Sequence, residues 1–244
     1  MNKVIVTGYG FVVHELIKNT EYNWVIIEKD RNKICDSGHK VYYIDLYDID
    51  ALEEIIRIER PECIIHTAAD KYIDRCEENI LSSIDDNIIA TRNLVKLKEK
   101  YNYHLVYLST DKAVEPISIY GTEKMLGERL VLQCGGTIVR SVNIKGSTGS
   151  ILPLWSSLIR EGKPVHVRGK DTYRWMINPE ECCRVLIEAM NYKGVTIVPK
   201  NIEHINIYEL AKTLTDNIIL EKGVNSFEKT DEKLCWDNEN TLIL

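Results

Sequence analysis

Short apolar runs alternate with longer amphipathic segments along the first 142 residues. The runs are Val4–Val6, Trp24–Ile27, Val41–Ile44, Cys63–Ile65, Leu105–Leu108 and Thr137–Val139. Each carries β-branched side chains between charged or turn residues, the pattern of strands buried on both faces of a parallel sheet. Between them, Ile49–Glu59 repeats apolar residues at Leu52, Ile55 and Ile56 behind acidic Asp48 and Asp50. Ile80–Lys100 sets Ile84, Ile88, Leu94, Val95 and Leu97 on one broad face, and Ile119–Leu132 does likewise. That spacing predicts helices. Strand alternating with helix requires right-handed crossovers and a sheet covered on both sides. The pattern predicts an α/β fold, a doubly wound, Rossmann-like parallel sheet over residues 1–142.

The remaining third changes character, with Pro153, Pro164, Pro179 and Pro199 against only Pro61 and Pro116 before it. Helical patterns appear at Ile151–Glu161, Pro179–Asn191 and Ile207–Thr215, and short strands at Val165–Val167 and Thr196–Val198. Residues 143–244 read as a small substrate-covering lobe, interleaved with the sheet rather than independent. Ser226–Asn240 is polar and acidic and reads as solvated surface.

Composition narrows the function classes. The net charge is −6, from 31 Lys+Arg against 37 Asp+Glu, which argues against a nucleic-acid partner. Val4–Val6 is too short for a signal-peptide core of about 7–15 apolar residues, and no run reaches the roughly 18 of a membrane span. The seven cysteines are odd in number and lack a Cys-x-x-Cys spacing, so reduced thiols in a cytoplasmic protein are expected. The histidines form no ligand-spaced cluster, so no metal is expected.

Val4–Thr7 runs into Gly8-Tyr9-Gly10-Phe11-Val12-Val13 and then a helical pattern. In a dinucleotide-binding turn, the first glycine allows the tight turn and the second lets the backbone approach a pyrophosphate. Val13 stands where a third glycine would pack the helix on the strand. Glu28, 28 − 8 = 20 residues on, is placed to accept from a ribose 2′-hydroxyl, which favours NAD over NADP. Lys29 and Arg31 stand close enough to offset that preference. A plain strand–helix turn is the alternative.

The most informative stretch is Leu105-Val106-Tyr107-Leu108-Ser109-Thr110-Asp111-Lys112, followed by Tyr120-Gly121-Thr122-Glu123-Lys124. Polar groups ending a central parallel strand sit where doubly wound folds bind ligands. Tyr120 and Lys124, four apart, share a helix face, and an ammonium beside a phenol lowers its pKa toward that of a usable base. The spacing alone is cheap, because Tyr208 and Lys212 repeat it in a late helix that no polar strand end precedes.

With these segments in hand, the chain resembles an extended short-chain dehydrogenase/reductase. It is most similar to the inverting UDP-N-acetylglucosamine 4,6-dehydratases of polysaccharide biosynthesis. The resemblance covers about residues 3–215. It rests on His66-Thr67-Ala68-Ala69-Asp70-Lys71, Asn87, the run Ser109–Pro116, Tyr120–Lys124, Val139-Arg140 with Asn143, Gly146–Pro153 and Arg174-Trp175. It implies that Tyr120, assisted by Lys124, deprotonates the hydroxyl on carbon 4 of a UDP-sugar beside a recycled NAD(P). Lys112 would take the carbon-5 proton, Asp111 would protonate the departing carbon-6 hydroxyl, and Thr110 would steady the oxyanion. It further implies cofactor contacts from Gly8, Gly10, Phe11, Val12, Glu28, Lys29, Asp45, Leu46, Ala68, Ala69, Lys71 and Asn87. Substrate contacts would come from Lys71, Asn143, Ser150 and Arg174, with the Arg174 guanidinium either on a diphosphate or stacked on Trp175.

The chain departs from that family at Val13, Ser141-Val142 and Tyr173, and it is shorter at the C-terminal lobe. A sugar 4-reductase or epimerase of the same superfamily, or a degenerate non-catalytic relative, are the alternatives. His66 is expected to be a packing residue. Ile80, Ile84 and Ile88, with Leu126 and Leu130, are read mainly as core. The corresponding helices form dimer bundles in relatives, which implies a homo-oligomer.

Overall fold

A computed structural model describes residues 3–33, 38–237 and 239–244. Cys35 lies outside them, as does Asn238 within the acidic tail. The first half runs β1 (Lys3–Thr7), α1 (Phe11–Lys18), β2 (Asn23–Glu28), β3 (Lys40–Tyr43), α2 (Ile49–Glu59), β4 (Cys63–His66), α3 (Ile73–Glu78) and α4 (Ile80–Ile84). A π-helical turn at Asp85–Ile89 leads into α5 (Ala90–Tyr101). Then come β5 (His104–Thr110), a 3-10 turn at Asp111–Ala113, α6 (Ile119–Gln133) and β6 (Thr137–Ser141).

These strands lie in the order β6-β5-β4-β1-β2-β3, with every ladder parallel. The chain starts at β1 and winds outward both ways, so the order reverses between β1 and β4. That switch point opens a crevice at the carboxyl ends of the strands, where Thr7, Glu28, His66 and Thr110 finish. The doubly wound sheet expected from the alternation is present.

Period-2 alternation sends neighbouring side chains to opposite faces. Val4 and Val6 join Leu16, Val106 and Val185 on one face, while Ile5 joins Leu52, Leu94 and Leu105 on the other. All of these side chains are buried. Each contributes about 1.5–3 kcal/mol by leaving water. Val13, at the third-glycine position, is 1% exposed in the first of these cores. It faces the packing side of α1, away from the crevice.

The later third adds β7 (Asn143–Ile144), α7 (Ile151–Arg160), β8 (Val165–Arg168), β9 (Tyr173–Ile177), α8 (Pro179–Ala189), β10 (Thr196–Val198), β11 (Ile202–Asn206), α9 (Ile207–Leu214), β12 (Ile218–Glu221) and β13 (Thr241–Ile243). Strands β10 and β13 return to the main sheet beside β6, making it eight-stranded. Two small sheets, β11-β9-β7 and β12-β8, complete the lobe, and Asn143 and Ile144 of β7 line the crevice.

The acidic tail is not simply solvated surface. Fully buried Arg140 on β6 donates to Leu234 O at 2.9 Å and to both carboxylate oxygens of Glu239 at 2.6 and 3.0 Å. Trp175 Nε1 donates to Glu232 O at 3.0 Å, and Lys229 Nζ to Val114 O at 2.7 Å. The segment is a strap bonded to β6, to β9 and to the turn after β5. Its charges marked it as exposed, but most of them meet fixed partners. No helix among the described residues is long and apolar enough to cross a membrane. The six described cysteines are free thiols.

Candidate active site

A cleft of about 990 Å³ opens over the switch point. Gly8, Gly10, Phe11 and Val12 line it from the first turn, Glu28 and Lys29 from the end of β2, and Asp45 and Leu46 from the segment after β3. Ala68, Ala69 and Lys71 follow β4, and Thr110, Lys112, Tyr120 and Lys124 stand at the head of β5 and α6. Asn143 and Ser150 close the far side.

The first turn fits a dinucleotide. Gly8 has φ +78°, and a Cβ there would lie 3.0 Å from Ala68 Cα, so the turn needs glycine twice over. No side chain caps α1 at Gly10. The amides of its first turn therefore face the cleft as an anion site. Glu28 Oε2 accepts from the Tyr9 amide at 2.6 Å and from Lys33 Nζ at 3.0 Å, while Oε1 accepts from the amides of Lys29 and Asp30. Burial opposes the charge, but the Asp30 and Tyr9 amides and Lys33 outweigh it and hold this carboxyl below its ordinary range. Glu28 is thus a fixed anion at the cleft end of β2. The cation that reaches it is Lys33, which the sequence reading passed over. Lys29 instead pairs with Asp86 at 2.5 Å, and Arg31 lines a shallower hollow beyond Asp45.

The wall after β4 is braced from behind. Thr7 Oγ1 accepts from the amides of Thr67 and Ala68 at 3.2 Å each and lies 2.7 Å from His66 Nδ1. With its lone pairs committed, the hydroxyl donates to Nδ1, which leaves His66 Nε2–H to donate to Thr91 Oγ1 at 3.1 Å. Burial pushes the His66 pKa down to about 3, so the ring stays neutral and structural, as expected. Asn87 is a correction. It does not line the cleft but sits buried on the π-helical turn, accepting from Asp70 N at 2.8 Å. Its Nδ2 donates to Asp70 O and Glu123 Oε2 at 3.0 and 2.7 Å. The extra residue of the π-turn swings this amide inward, where it fixes the loop bearing Lys71.

Ser118 caps α6 by accepting from Gly121 N at 3.0 Å, which places Tyr120 in the first turn. A Cβ on Gly121 would lie 2.5 Å from Lys112 O, so only glycine lets α6 start against the turn that carries Lys112. On that turn, Thr110 Oγ1 and Lys112 Nζ both donate to Asp111 Oδ1, at 2.8 and 3.0 Å. Asp111 is fully buried behind the cleft lining, and its Oδ2 has no hydrogen-bond partner among the described residues.

Tyr120 and Lys124 share the cleft but not the relation expected of them. Lys124 Nζ donates to Leu108 O at 2.6 Å and lies 3.9 Å from the centre of the Tyr107 ring. Burial lowers the Lys124 pKa to about 7, so its charge is marginal at neutral pH. Burial, then the Asp111 charge, pushes the Tyr120 phenol well above its ordinary value. In the protein alone, Lys124 does not make that phenol acidic.

Arg174 is the second correction. Its guanidinium donates to the carbonyls of Tyr173 and Lys229 and lies 3.6 Å from Glu228, so it holds the strap rather than a phosphate. Trp175 stacks on His204, not on Arg174. Lys71 donates to Thr148 O at 2.6 Å and so ties the β4 loop to the far wall. Asn143 donates to Trp175 O, and Ser150 Oγ is buried without a partner at the start of α7. The Tyr208–Lys212 copy lies in α9, with Lys212 paired to Glu209 at the surface. Sequence reasoning also missed Glu232, whose carboxylate lies 3.9 Å from Lys112 Nζ. No local motif marks that residue.

A family model described as polysaccharide biosynthesis protein matches residues 11–242. The chain belongs to this family. An uncharacterized membrane protein, MJ1061, of Methanocaldococcus jannaschii is 29% identical over 190 residues, 73% of this chain and 56% of that one. An inverting UDP-N-acetylglucosamine 4,6-dehydratase of Campylobacter jejuni is 26% identical over 249 residues, 93% of this chain and 74% of that one. Proteins named UDP-glucose 4-epimerase match at 26% to 29% identity. The chain spans 56%, 37% and 41% of the lengths of three of its curated relatives. DesIV, a dTDP-glucose 4,6-dehydratase of Streptomyces venezuelae solved with NAD and TYD bound, superposes with a TM-score of 0.81. It is 16% identical, and the match covers 99% of this chain and 88% of that one. That similarity establishes the shared fold of this family member.

Proposed function

We propose that this chain is a nucleotide-sugar 4,6-dehydratase that removes water from a UDP-N-acetylhexosamine with a recycled nicotinamide cofactor. The observation that carries the reading is the 3.0 Å hydrogen bond between Lys112 and Asp111 at the cleft end of β5. Elimination across carbons 5 and 6 needs a neutral base and a protonated acid at once. Transfer of one proton along this bond converts the ion pair into that state, with the amine as base and the carboxyl as acid. The amine then takes the carbon-5 proton, and the Asp111 carboxyl, which must turn out from behind the cleft lining, gives its proton to the carbon-6 hydroxyl, which leaves as water. Both side chains end in the charge states in which they began.

Gly8, Gly10 and the start of α1 would hold the pyrophosphate of the cofactor, with Glu28 on a ribose and Asp45 and Leu46 near its base. Bound and oxidised, a nicotinamide would supply positive charge and the acceptor for the hydride of sugar carbon 4, which returns to carbon 6 once water has left, with a proton restored to carbon 5. Tyr120 removes the carbon-4 hydroxyl proton, and the arriving charge offsets the burial that otherwise keeps the phenol protonated. Thr110 would donate to the developing oxyanion once protonation of Asp111 frees its hydroxyl hydrogen. Glu28 as a fixed anion favours NAD over a cofactor with a 2′-phosphate. Lys71 from the β4 loop, and Asn143 and Ser150 from the far wall, would face the substrate. The relatives named 4,6-dehydratase support the reading, and those named 4-epimerase share the remaining machinery.

Exposed Leu81, Ile80, Ile117 and Leu126 on and beside α4 and α6 are the face we assign to a second copy of the chain. Ile80 and Leu126 were expected in the core but are 44% and 45% exposed.

Incubating the purified protein with UDP-sugars, without added reductant, tests the function by mass spectrometry. Loss of one water from an N-acetylhexosamine supports it. An isomer of unchanged mass makes the chain an epimerase, a requirement for stoichiometric reduced cofactor makes it a reductase, and no product with no bound nucleotide makes it a non-catalytic relative.

A further inference from the structure

The strap carries one carboxylate into contact with the reaction turn. Glu232 is 6% exposed, and its Oε1 lies 3.9 Å from Lys112 Nζ. Its Oε2 accepts from Lys229 Nζ at 2.8 Å, and its backbone carbonyl accepts from Trp175 Nε1. Lys229 is in turn bonded to Val114 O, just beyond the turn that holds Asp111 and Lys112. Glu232 is therefore held at its carboxylate by Lys229 and at its backbone by Trp175, while Lys112 sits on four rotatable bonds between two carboxylates. Asp111 and Glu232 are its anionic neighbours, Thr110 competes for the same Asp111 oxygen, and Lys229 balances the charge of Glu232.

We propose that Glu232 is a positioning residue for Lys112, a second counter-ion that holds the amine in front of Asp111 and facing the cleft. It does not itself line the cleft, so it acts on the turnover of bound substrate rather than on affinity. The proposal rests on the dehydratase reading for its catalytic consequence but not for its structural one. The two carboxylates bracket the amine, and with one of them gone it is held by Asp111 alone. Without Glu232, the amine is freer to react with external reagents and less often aligned with Asp111.

The experiment uses the full chain as wild type, Glu232→Gln and Glu232→Asp. Brief acetylation with acetic anhydride is read by mass spectrometry as labelling of Lys112 relative to exposed Lys96. Glu232→Gln is expected to raise that ratio about tenfold, with Glu232→Asp, which keeps the charge, returning most of the way to wild type. Water loss from the UDP-sugar should show kcat reduced about tenfold in Glu232→Gln with KM within about twofold, again rescued by aspartate. A Lys112 ratio that stays within about twofold of wild type in a folded Glu232→Gln protein overturns the proposal. If glutamine at this position prevents folding, Glu232→Met, which also lacks the charge, is labelled instead: a ratio raised about threefold or more supports the proposal, and an unchanged ratio overturns it. If the wild type releases no water while the labelling changes as expected, the dehydratase reading fails and the positioning contact stands.

Discussion

Arg140 on β6 and Glu239, 99 positions later, meet through two hydrogen bonds of 2.6 and 3.0 Å. The other edge of the same guanidinium is held by Glu128 on α6 at 3.0 and 2.7 Å, and Leu234 O takes the fifth N–H. One buried cation thus joins the sheet, the helix bearing Tyr120 and the strap bearing Glu232.

Removing that cation leaves two carboxylates buried or nearly so without compensation. Arg140→Met should cost about 3–5 kcal/mol, measured as a fall in the urea unfolding midpoint. Hydrogen exchange should rise in residues 229–237 before the rest of the sheet. Burial opposes the charge of Glu239, but Arg140 outweighs it and holds its carboxyl below the ordinary range. Its contribution is therefore complete above the unfolded value of about 4.3 and is lost as pH falls below it. The strap should therefore loosen late in an acid titration, below the ordinary carboxylate range.

Tyr120→Phe removes the one hydroxyl at the head of α6 that can take the carbon-4 proton. Turnover should drop about 10²–10⁴-fold, while affinity for the UDP-sugar by calorimetry stays within about threefold. Near-normal turnover would remove Tyr120 from the mechanism.

Lys112→Ala should abolish the uptake of solvent deuterium at sugar carbon 5, followed by NMR in heavy water. Exchange at that carbon with water release lost would instead place the base elsewhere and leave Lys112 with the acid.

Lys124 supplies the pH test. Burial depresses its pKa from 10.5 to about 7, so between those values the folded chain binds fewer protons than the unfolded one. Stability then rises with pH across that window, with a slope approaching about 1.4 kcal/mol per pH unit from this group. Lys124→Met should be more stable than wild type at pH 6, and its advantage should shrink steadily toward pH 10. A thermal-unfolding difference that does not vary with pH refutes the depressed value.

Local patterns made the sheet legible. Val4–Val6, Cys63–Ile65 and Leu105–Leu108 are strands because burial on both faces leaves unbroken apolar runs, and Ile49–Glu59 is a helix to the residue. The first turn and the Thr110–Lys124 block were legible because their chemistry is contiguous. Asn87 was misplaced because a π-turn shifts phase by one residue inside an otherwise regular helical pattern. Arg174 and the 226–240 segment were misread because charges look solvated unless their partners are known. Those partners lie 55 residues or more away, at Lys229 for Arg174 and at Arg140 for Leu234 and Glu239. Glu232 has the same cause.

The contact between Gly121 and Lys112 O also limits how such a chain could diversify. Because the helix start and the Asp111–Ala113 turn touch with no side chain between them, the groups proposed for oxidation and for water loss would be geared together and could not be shifted one at a time. New sugar preferences would have to be carved from the opposite bank, in the 146–150 loop that Lys71 fastens, leaving the reacting side as an inherited constant.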